Sequence, residues 1–108
     1  MDSFNKTLRY SELFNIYQSL LSETQKEILS SYFVFDLSIT EIAENRSTSR
    51  AAVEDAIKKG TRKLDELEES MNLLKKREII LKKTAILKDL AANDEAKQII
   101  NDIEKEIY

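Results

Sequence analysis

The sequence contains no cysteine, histidine, proline or tryptophan, and it has a single glycine in 108 residues. Because turns between strands depend on glycine, proline and asparagine, this scarcity favours helices joined by short polar links. Without cysteine there is no disulfide framework and no thiolate, and without histidine there is no imidazole base or imidazole metal ligand. Gly60 alone cannot form a glycine-rich phosphate loop. We therefore expect no enzyme, no catalytic residue, no cofactor and no metal.

No apolar run approaches the roughly 20 residues of a membrane-spanning helix, and residues 1–9 lack the core of a signal peptide. The sequence therefore predicts a cytoplasmic protein of one domain.

The net charge of the protein is −3, with residues 38–66 neutral and both flanking segments slightly acidic. No segment has the strongly basic character that marks many nucleic-acid-binding proteins. A carboxylate enzyme built on Glu66, Glu68 and Glu69 is disfavoured because these residues are neighbours on one predicted solvated helix.

Apolar residues recur at helical spacing through most of the chain. Residues 4–21 form a predicted first helix, and Ser22 and Ser38 each begin a capping box. Ser49 is the expected N-cap of a fourth helix, and Asn93 or Asp94 that of the last. The predicted inward positions are Tyr10, Leu13, Phe14, Tyr17, Leu20, Ile28, Leu29, Tyr32, Phe33, Ile42, Ala43, Val53, Ala56, Ile57, Ala96, Ile99, Ile100, Ile103 and Ile107.

Residues 39–58 fit a helix-turn-helix, with two short capped helices separated by about four residues. Ala43 is small where the two helices cross closely, and Ile42, Val53 and Ala56 occupy the buried positions. The second helix is the predicted reading helix. The candidate nucleic-acid contacts on its exposed side are Ser49, Arg50, Ala51, Glu54, Lys58, Lys59 and Arg62.

Several side chains depart from the usual pattern of such motifs, namely Arg46, Ser47, Thr48, Glu54 and Asp55. The first and third replace apolar residues, the second replaces a turn glycine, and the last two bring negative charge to the reading side. One alternative is a helix pair that only packs. Another is an RNA or a protein docked on the same side. The basic cluster at residues 58–63 is also explained by a solvated helix face interleaved with Asp65 and Glu66.

A heptad pattern follows the helix-turn-helix, with Gly60 and Glu78 interrupting it. Its apolar positions are Val53, Ile57, Leu64, Leu67, Met71, Leu74 and Leu81. We expect a kink at Gly60 and then a helix over 61–90, roughly 45 Å long at 1.5 Å per residue. Shorter helices cannot cover this length, which favours a homodimer. The predicted dimerisation residues are Leu67, Met71, Leu74 and Leu81, and the alternative is packing against the first two helices.

Three stretches carry a resemblance to the YlxM-like family of helix-turn-helix proteins from Gram-positive bacteria and mollicutes. They are Leu13-Phe14-x-x-Tyr17-Gln18-Ser19-Leu20-Leu21-Ser22-x-x-Gln25, Asp36-x-Ser38-Ile39-x-Glu41-Ile42-Ala43-Glu44 and Thr48-Ser49-Arg50-x-Ala52-Val53-x-Asp55-x-Ile57-Lys58. The resemblance covers about residues 8–75. The chain departs from the family pattern at Arg46, Thr48, Ala51 and Glu54.

The resemblance implies an all-α fold similar to region 4 of sigma factors, with a long C-terminal helical extension. It also implies a regulatory role linked to the signal recognition particle, through gene neighbourhood with the particle's GTPase. Ser49, Arg50 and Lys58 carry over as nucleic-acid contacts, and no catalytic residue does. The expected organisation is one helical domain with a core at 1–60 and an extension at 61–108. DNA, the particle's RNA and its GTPase stand as alternative partners.

Overall fold

The computed structural model describes residues 2–107, and that part of the chain contains helices and no strand. The helices are α1 (Asp2–Tyr17), α2 (Glu23–Leu29), α3 (Ile39–Asn45), α4 (Arg50–Met71), α5 (Leu73–Leu90) and α6 (Asp94–Ile107). A 3₁₀ turn (Gln18–Leu20) follows α1, and a π-helical turn (Ser30–Val34) ends α2. The all-α prediction is confirmed.

The helix starts follow the predicted caps. Ser22 Oγ accepts from the backbone N–H of Gln25, whose side chain accepts from the N–H of Ser22. Ser38 and Glu41 form the same reciprocal pair at the start of α3, with hydrogen bonds of 3.0 and 2.9 Å. The backbone N–H of Ser38 lowers the pKa of Glu41, so this cap is charged at neutral pH. Each box satisfies backbone donors that a helix start leaves without a partner.

The predicted face of α1 is largely confirmed, because Leu13, Phe14 and Tyr17 are all buried. Leu20 was predicted to point inward and is instead 50% exposed. The reason is local: the chain tightens from an α-helix into a 3₁₀ turn after Tyr17, which rotates the following side chains. Leu21, one residue later, is buried in its place.

Helices α2, α3 and α4 share a small core. Ile28, Ile42, Ala43 and Val53 form its buried centre, as the helix-turn-helix pattern predicts. The partly buried side chains packed around this centre are Tyr32, Leu37, Ile39, Ala56 and Ile57. The core therefore fixes α3 and the N-terminal half of α4 against α2.

Gly60 lies in the middle of α4, and the predicted kink at this residue is wrong. Helix α4 continues through Gly60 to Met71, which makes it 22 residues, or about 33 Å, long. A Cβ atom built on Gly60 would lie 2.6 Å from Cδ1 of Leu29, a fully buried side chain of α2. The glycine is required because α2 and α4 approach too closely for a side chain.

The break in the helical chain comes at Asn72, whose φ of 56° lies in the left-handed region. Asparagine tolerates this conformation better than most residues, which makes it a common end to a helix. The prediction of one continuous helix over 61–90 is therefore wrong. The described chain divides after Asn72 into two compact units.

The second unit is a hairpin of α5 and α6 joined by residues 91–93. Asn93 caps α6, since its Oδ1 accepts from the N–H of Ala96 at 2.8 Å. Thr84 donates to Glu104 Oε2 at 2.7 Å, and Lys88 forms an ion pair with the same carboxylate. The predicted inward face of α6 is only partly buried, because Ile100 is covered whereas Ile99 and Ile103 are exposed.

Replacement of Gly60 by Ala is expected to lower the free energy of unfolding by about 1 kcal/mol. The clash with buried Leu29 costs about 1–3 kcal/mol, which outweighs the gain of about 1 kcal/mol in helix propensity. Urea denaturation measures the change. In a Leu29→Ala background the clash is absent, and Gly60→Ala should become neutral or stabilising. The same loss in both backgrounds would contradict close packing as the reason for this glycine.

Replacement of Glu104 by Gln is expected to reduce the loss of stability at acid pH. Hydrogen bonds from Lys88 and Thr84 lower the pKa of Glu104 in the folded protein. Its contribution is therefore present above the pKa of the unfolded chain and is lost as the pH falls through the folded value. Thermal unfolding between neutral and acid pH checks this. Glu78→Gln, which removes an exposed carboxylate of α5 outside this contact, is the matched control for the loss of one negative charge.

Candidate nucleic-acid interface

The turn between α3 and α4 has a defined geometry that sets the direction of α4. Ser47 is left-handed with φ 52°, and its N–H donates to the carbonyl of Glu44 at 3.2 Å. The N–H of Thr48 donates to the carbonyl of Ala43 at 3.0 Å. This pair of hydrogen bonds is a Schellman motif, which ends α3 and reverses the chain. Ser49 then begins α4, its Oγ accepting from the N–H of Ala52 at 3.0 Å.

The predicted contact residues are all exposed side chains at the N-cap and in the first 13 residues of α4. They are Ser49, Arg50, Ala51, Glu54, Lys58, Lys59 and Arg62. At 100° per residue, Ala51, Lys58 and Arg62 fall closest to the centre of the exposed side, opposite buried Val53 and Gly60, whereas Arg50 and Lys59 lie toward its two edges. We call this set of seven the reading face. The structure brings the predicted residues together, and their role as contacts stays a prediction.

Ion pairs divide the basic residues of the reading face into two kinds. Lys59 Nζ lies 2.9 Å from Asp55 Oδ2, one turn earlier on the same helix. Among the described residues, Arg50, Lys58 and Arg62 form no ion pair within the chain. These three cations are therefore available to an external anion without first breaking a contact.

Arg46, an unusual residue for such a turn, has a structural partner. Its guanidinium donates to Glu27 Oε2 on α2 at 2.8 Å, and both side chains are partly exposed. An exposed pair of this kind stabilises a fold by about 0.2–1 kcal/mol. Arg46 therefore ties the turn to α2 instead of filling the apolar position common in this motif.

A groove beside the reading face was not predicted from the sequence. It has a volume of about 350 Å³ and is lined by Lys6, Thr7, Tyr10, Tyr32, Phe33, Ile57, Lys58 and Thr61. Tyr10 donates to Asp65 Oδ2 at 2.8 Å, and burial together with Asp65 raises the pKa of this phenol. The groove places Lys6 of α1 close to Lys58 of α4, although the two are distant in sequence. The helical periodicity of α1 shows which of its residues share a face, but it does not predict that α4 lies beside Lys6.

A family model described as "Putative helix-turn-helix protein, YlxM / p13 like" matches residues 4–107. The chain belongs to this family. A UPF0122 protein of Bacillus cereus (strain AH187) is 43% identical over 105 residues, which cover 93% of this chain and 96% of the relative. UPF0122 proteins of Bacillus anthracis (strain A0248) and Bacillus thuringiensis subsp. konkukian (strain 97-27) show the same identity and coverage.

Membership confirms the resemblance drawn from the three sequence stretches and extends it across α5 and α6. The names of these relatives state a family and no ligand. The helix-turn-helix architecture is therefore supported by both the family and the fold.

The carboxylates of Glu66, Glu68 and Glu69 on α4 lie in different environments. Glu66 and Glu69 are exposed, whereas Glu68 is buried, and its Oε1 accepts from the hydroxyl of Tyr17 at 2.7 Å. The expectation that all three lie on a solvated face is thus wrong for Glu68. No group of three or more acidic residues among those described is arranged to hold a metal ion. No helix in residues 2–107 is long and apolar enough to cross a membrane.

The four predicted dimerisation residues do not share one helix in this family member. Leu67 and Met71 precede the break at Asn72, whereas Leu74 and Leu81 follow it. Met71 is 42% exposed, while Leu74 is only 2% exposed and is not available to a second copy in this conformation. The predicted seam is therefore interrupted at Asn72, and both dimerisation and the role of these four residues stay predictions.

Replacement of Ser47 by Gly is expected to stabilise the protein by about 1 kcal/mol, because a Cβ atom is unfavourable at a left-handed φ. Thermal unfolding of the two proteins measures the difference. Ser47→Ala is the control, since alanine keeps the Cβ atom and should give no such gain. A stabilisation by alanine equal to that by glycine would show that backbone strain at Ser47 is not the cause.

Proposed function

We propose that the protein is a nucleic-acid-binding regulator, without catalytic activity, that contacts duplex DNA through the reading face and acts in the signal recognition particle pathway. One observation carries this proposal: Arg50, Lys58 and Arg62 project from one exposed side of a helix that a helix-turn-helix holds in place. In such motifs the second helix enters the major groove with its N-terminal residues at the base edges. A cytoplasmic location is part of the proposal.

The chemistry of the first two turns of α4 suits this orientation. The first backbone N–H groups of α4 attract phosphate, and Arg50 supplies a cation beside them. Ala51 is small enough for close approach and can contact the methyl group of thymine. Glu54 can accept a hydrogen bond from N4 of cytosine, so its negative charge is compatible with base recognition.

Farther along α4, charge accounts for affinity and not for base recognition. Lys58 and Arg62 lie one turn apart on the same side and can neutralise phosphates flanking the groove. The overall charge of −3 does not oppose this, because only the contacting side needs to be basic. Lys59 is already paired with Asp55 and should contribute less than Lys58.

A second candidate function is an accessory role on the signal recognition particle, with its RNA or its GTPase as the partner and no DNA operator. The groove beside the reading face favours this candidate in its RNA form. Unpaired bases of RNA stack on aromatic side chains while basic groups hold the backbone. Tyr10 and Tyr32 line the groove together with Lys6 and Lys58. The link to the particle itself comes from the family resemblance.

A fluorescence-anisotropy competition near physiological salt tests both candidates. Labelled particle RNA, with and without the GTPase, is bound to the protein and competed with random duplex DNA. Equal displacement by DNA is expected for a DNA-binding regulator, and selective retention on the RNA supports the accessory role. Absence of binding to DNA, to RNA and to the GTPase would contradict both candidates.

Variants of α4 make the same experiment specific to the reading face. Arg50→Ala and Lys58→Ala should each weaken binding and reduce the slope of log affinity against log salt by about one. Lys63→Ala is the matched control, because Lys63 is exposed on the same helix but turned away from Lys58 by about 140°. Equal losses for Lys58→Ala and Lys63→Ala would count against the reading face as the binding surface.

A further inference from the structure

The hairpin of α5 and α6 buries little of its own apolar surface. Its buried side chains are Leu74, Thr84 and Ile100. Units of fewer than about 40 residues seldom hold together on their own core, and oligomerisation is one of the usual remedies. Large aliphatic side chains remain exposed on both helices, and monomeric proteins rarely leave such side chains clustered on their surface.

Four of the exposed aliphatic residues fall on one face of the hairpin, which we call the hairpin face. Ile80 and Leu87 are two turns apart on α5, and Ile99 and Ile103 are one turn apart on α6. Their exposed fractions lie between 40% and 54%. At 100° per residue, each pair lies beside the inward residues of its helix, and both pairs point to the same side of the antiparallel hairpin. The hairpin face is therefore a continuous aliphatic strip across two helices.

The two edges of the hairpin face carry opposite charges. Helix α5 has six basic and two acidic side chains, and Lys83 lies at its outer edge. Helix α6 has two basic and five acidic side chains, with Asp102 and Glu106 at its outer edge. The hydrogen bond from Thr84 to Glu104 places Lys83 at about the same height along the hairpin as these carboxylates. Among the described residues, Lys83 and Glu106 form no ion pair within the chain.

We propose that the hairpin face binds the hairpin face of a second copy of this chain, forming a four-helix bundle in which α5 of each copy lies over α6 of the other. Two-fold symmetry allows two arrangements of such faces. An axis along the helices places the basic edge of α5 over the acidic edge of α6. An axis across the helices places α5 over α5 and α6 over α6, which brings like charges together. The charge pattern selects the first arrangement.

This interface differs from the heptad seam predicted from the sequence. It lies wholly after Asn72 and uses Ile80, Leu87, Ile99 and Ile103 instead of positions on both sides of the break. It also explains why the predicted inward face of α6 is only half buried in a single copy. The proposal does not depend on which nucleic acid or protein the reading face binds.

Charge exchange across the interface tests the proposal, with sedimentation equilibrium of the full chain at micromolar concentrations as the measurement. Lys83→Glu should weaken the dimer by at least about tenfold, because it replaces two symmetry-related attractions by repulsions. Asp102→Lys with Glu106→Lys should weaken it similarly. All three changes in one chain should restore the dimer. The arrangement of α5 over α5 does not predict this restoration, because its like-charge contacts remain in every variant.

Lys82→Glu is the matched control, since it makes the same charge change one residue away and about 100° around α5 from Lys83. It should leave the dimer intact, and circular dichroism should show unchanged helix content in every variant. A monomer at all concentrations in the unsubstituted protein would overturn the proposal and leave the hairpin face to a different protein. A dimer unaffected by Lys83→Glu, or a triple variant that stays monomeric, would also overturn it.

Discussion

The close crossing of α2 and α4 is the contact on which the described architecture depends. At Gly60 the two helices approach so closely that Leu29 occupies the space where a Cβ atom would lie. On either side of this crossing, the two halves of α4 contact different helices. The N-terminal half packs on α3 and exposes the reading face, while the C-terminal half contacts α1, where the hydroxyl of Tyr17 donates a hydrogen bond to Glu68. One glycine thereby allows a single helix to serve both the core and the reading face.

The polar contacts of the first unit act mainly on direction. Capping boxes at Ser22 and Ser38 set where α2 and α3 begin, and the left-handed Ser47 sets where α3 ends. Arg46 then ties that turn to Glu27 of α2. Each contact is worth little energy alone, on the order of 1 kcal/mol. Together they leave few alternatives for the orientation of α4, which is what a reading helix requires.

Charge is distributed in a way that overall composition hides. The chain is acidic in sum, and residues 67–108 taken together are nearly neutral. Separated by helix, however, α5 is basic and α6 is acidic, and their outer edges carry opposite signs. The basic residues of the reading face also differ from one another. Lys59 forms an ion pair with Asp55, whereas Lys58 forms no ion pair within the described chain. For both the hairpin and the reading face, the charge of the exposed surface describes what a partner would meet better than the net charge of the chain does.

Much of this protein follows from local sequence alone. The helices, their caps at Ser22, Ser38 and Ser49, and the buried positions Ile42, Ala43 and Val53 are set by short-range spacing and backbone hydrogen bonding, which act within one or two turns. Tertiary structure decided the remainder. Local propensity makes Gly60 a helix breaker, whereas the structure shows that it makes room for Leu29 of α2. Lys6 and Lys58 line one groove although they are distant in sequence. Such contacts depend on how separate helices cross, and the periodicity of a single helix carries no information about its neighbour.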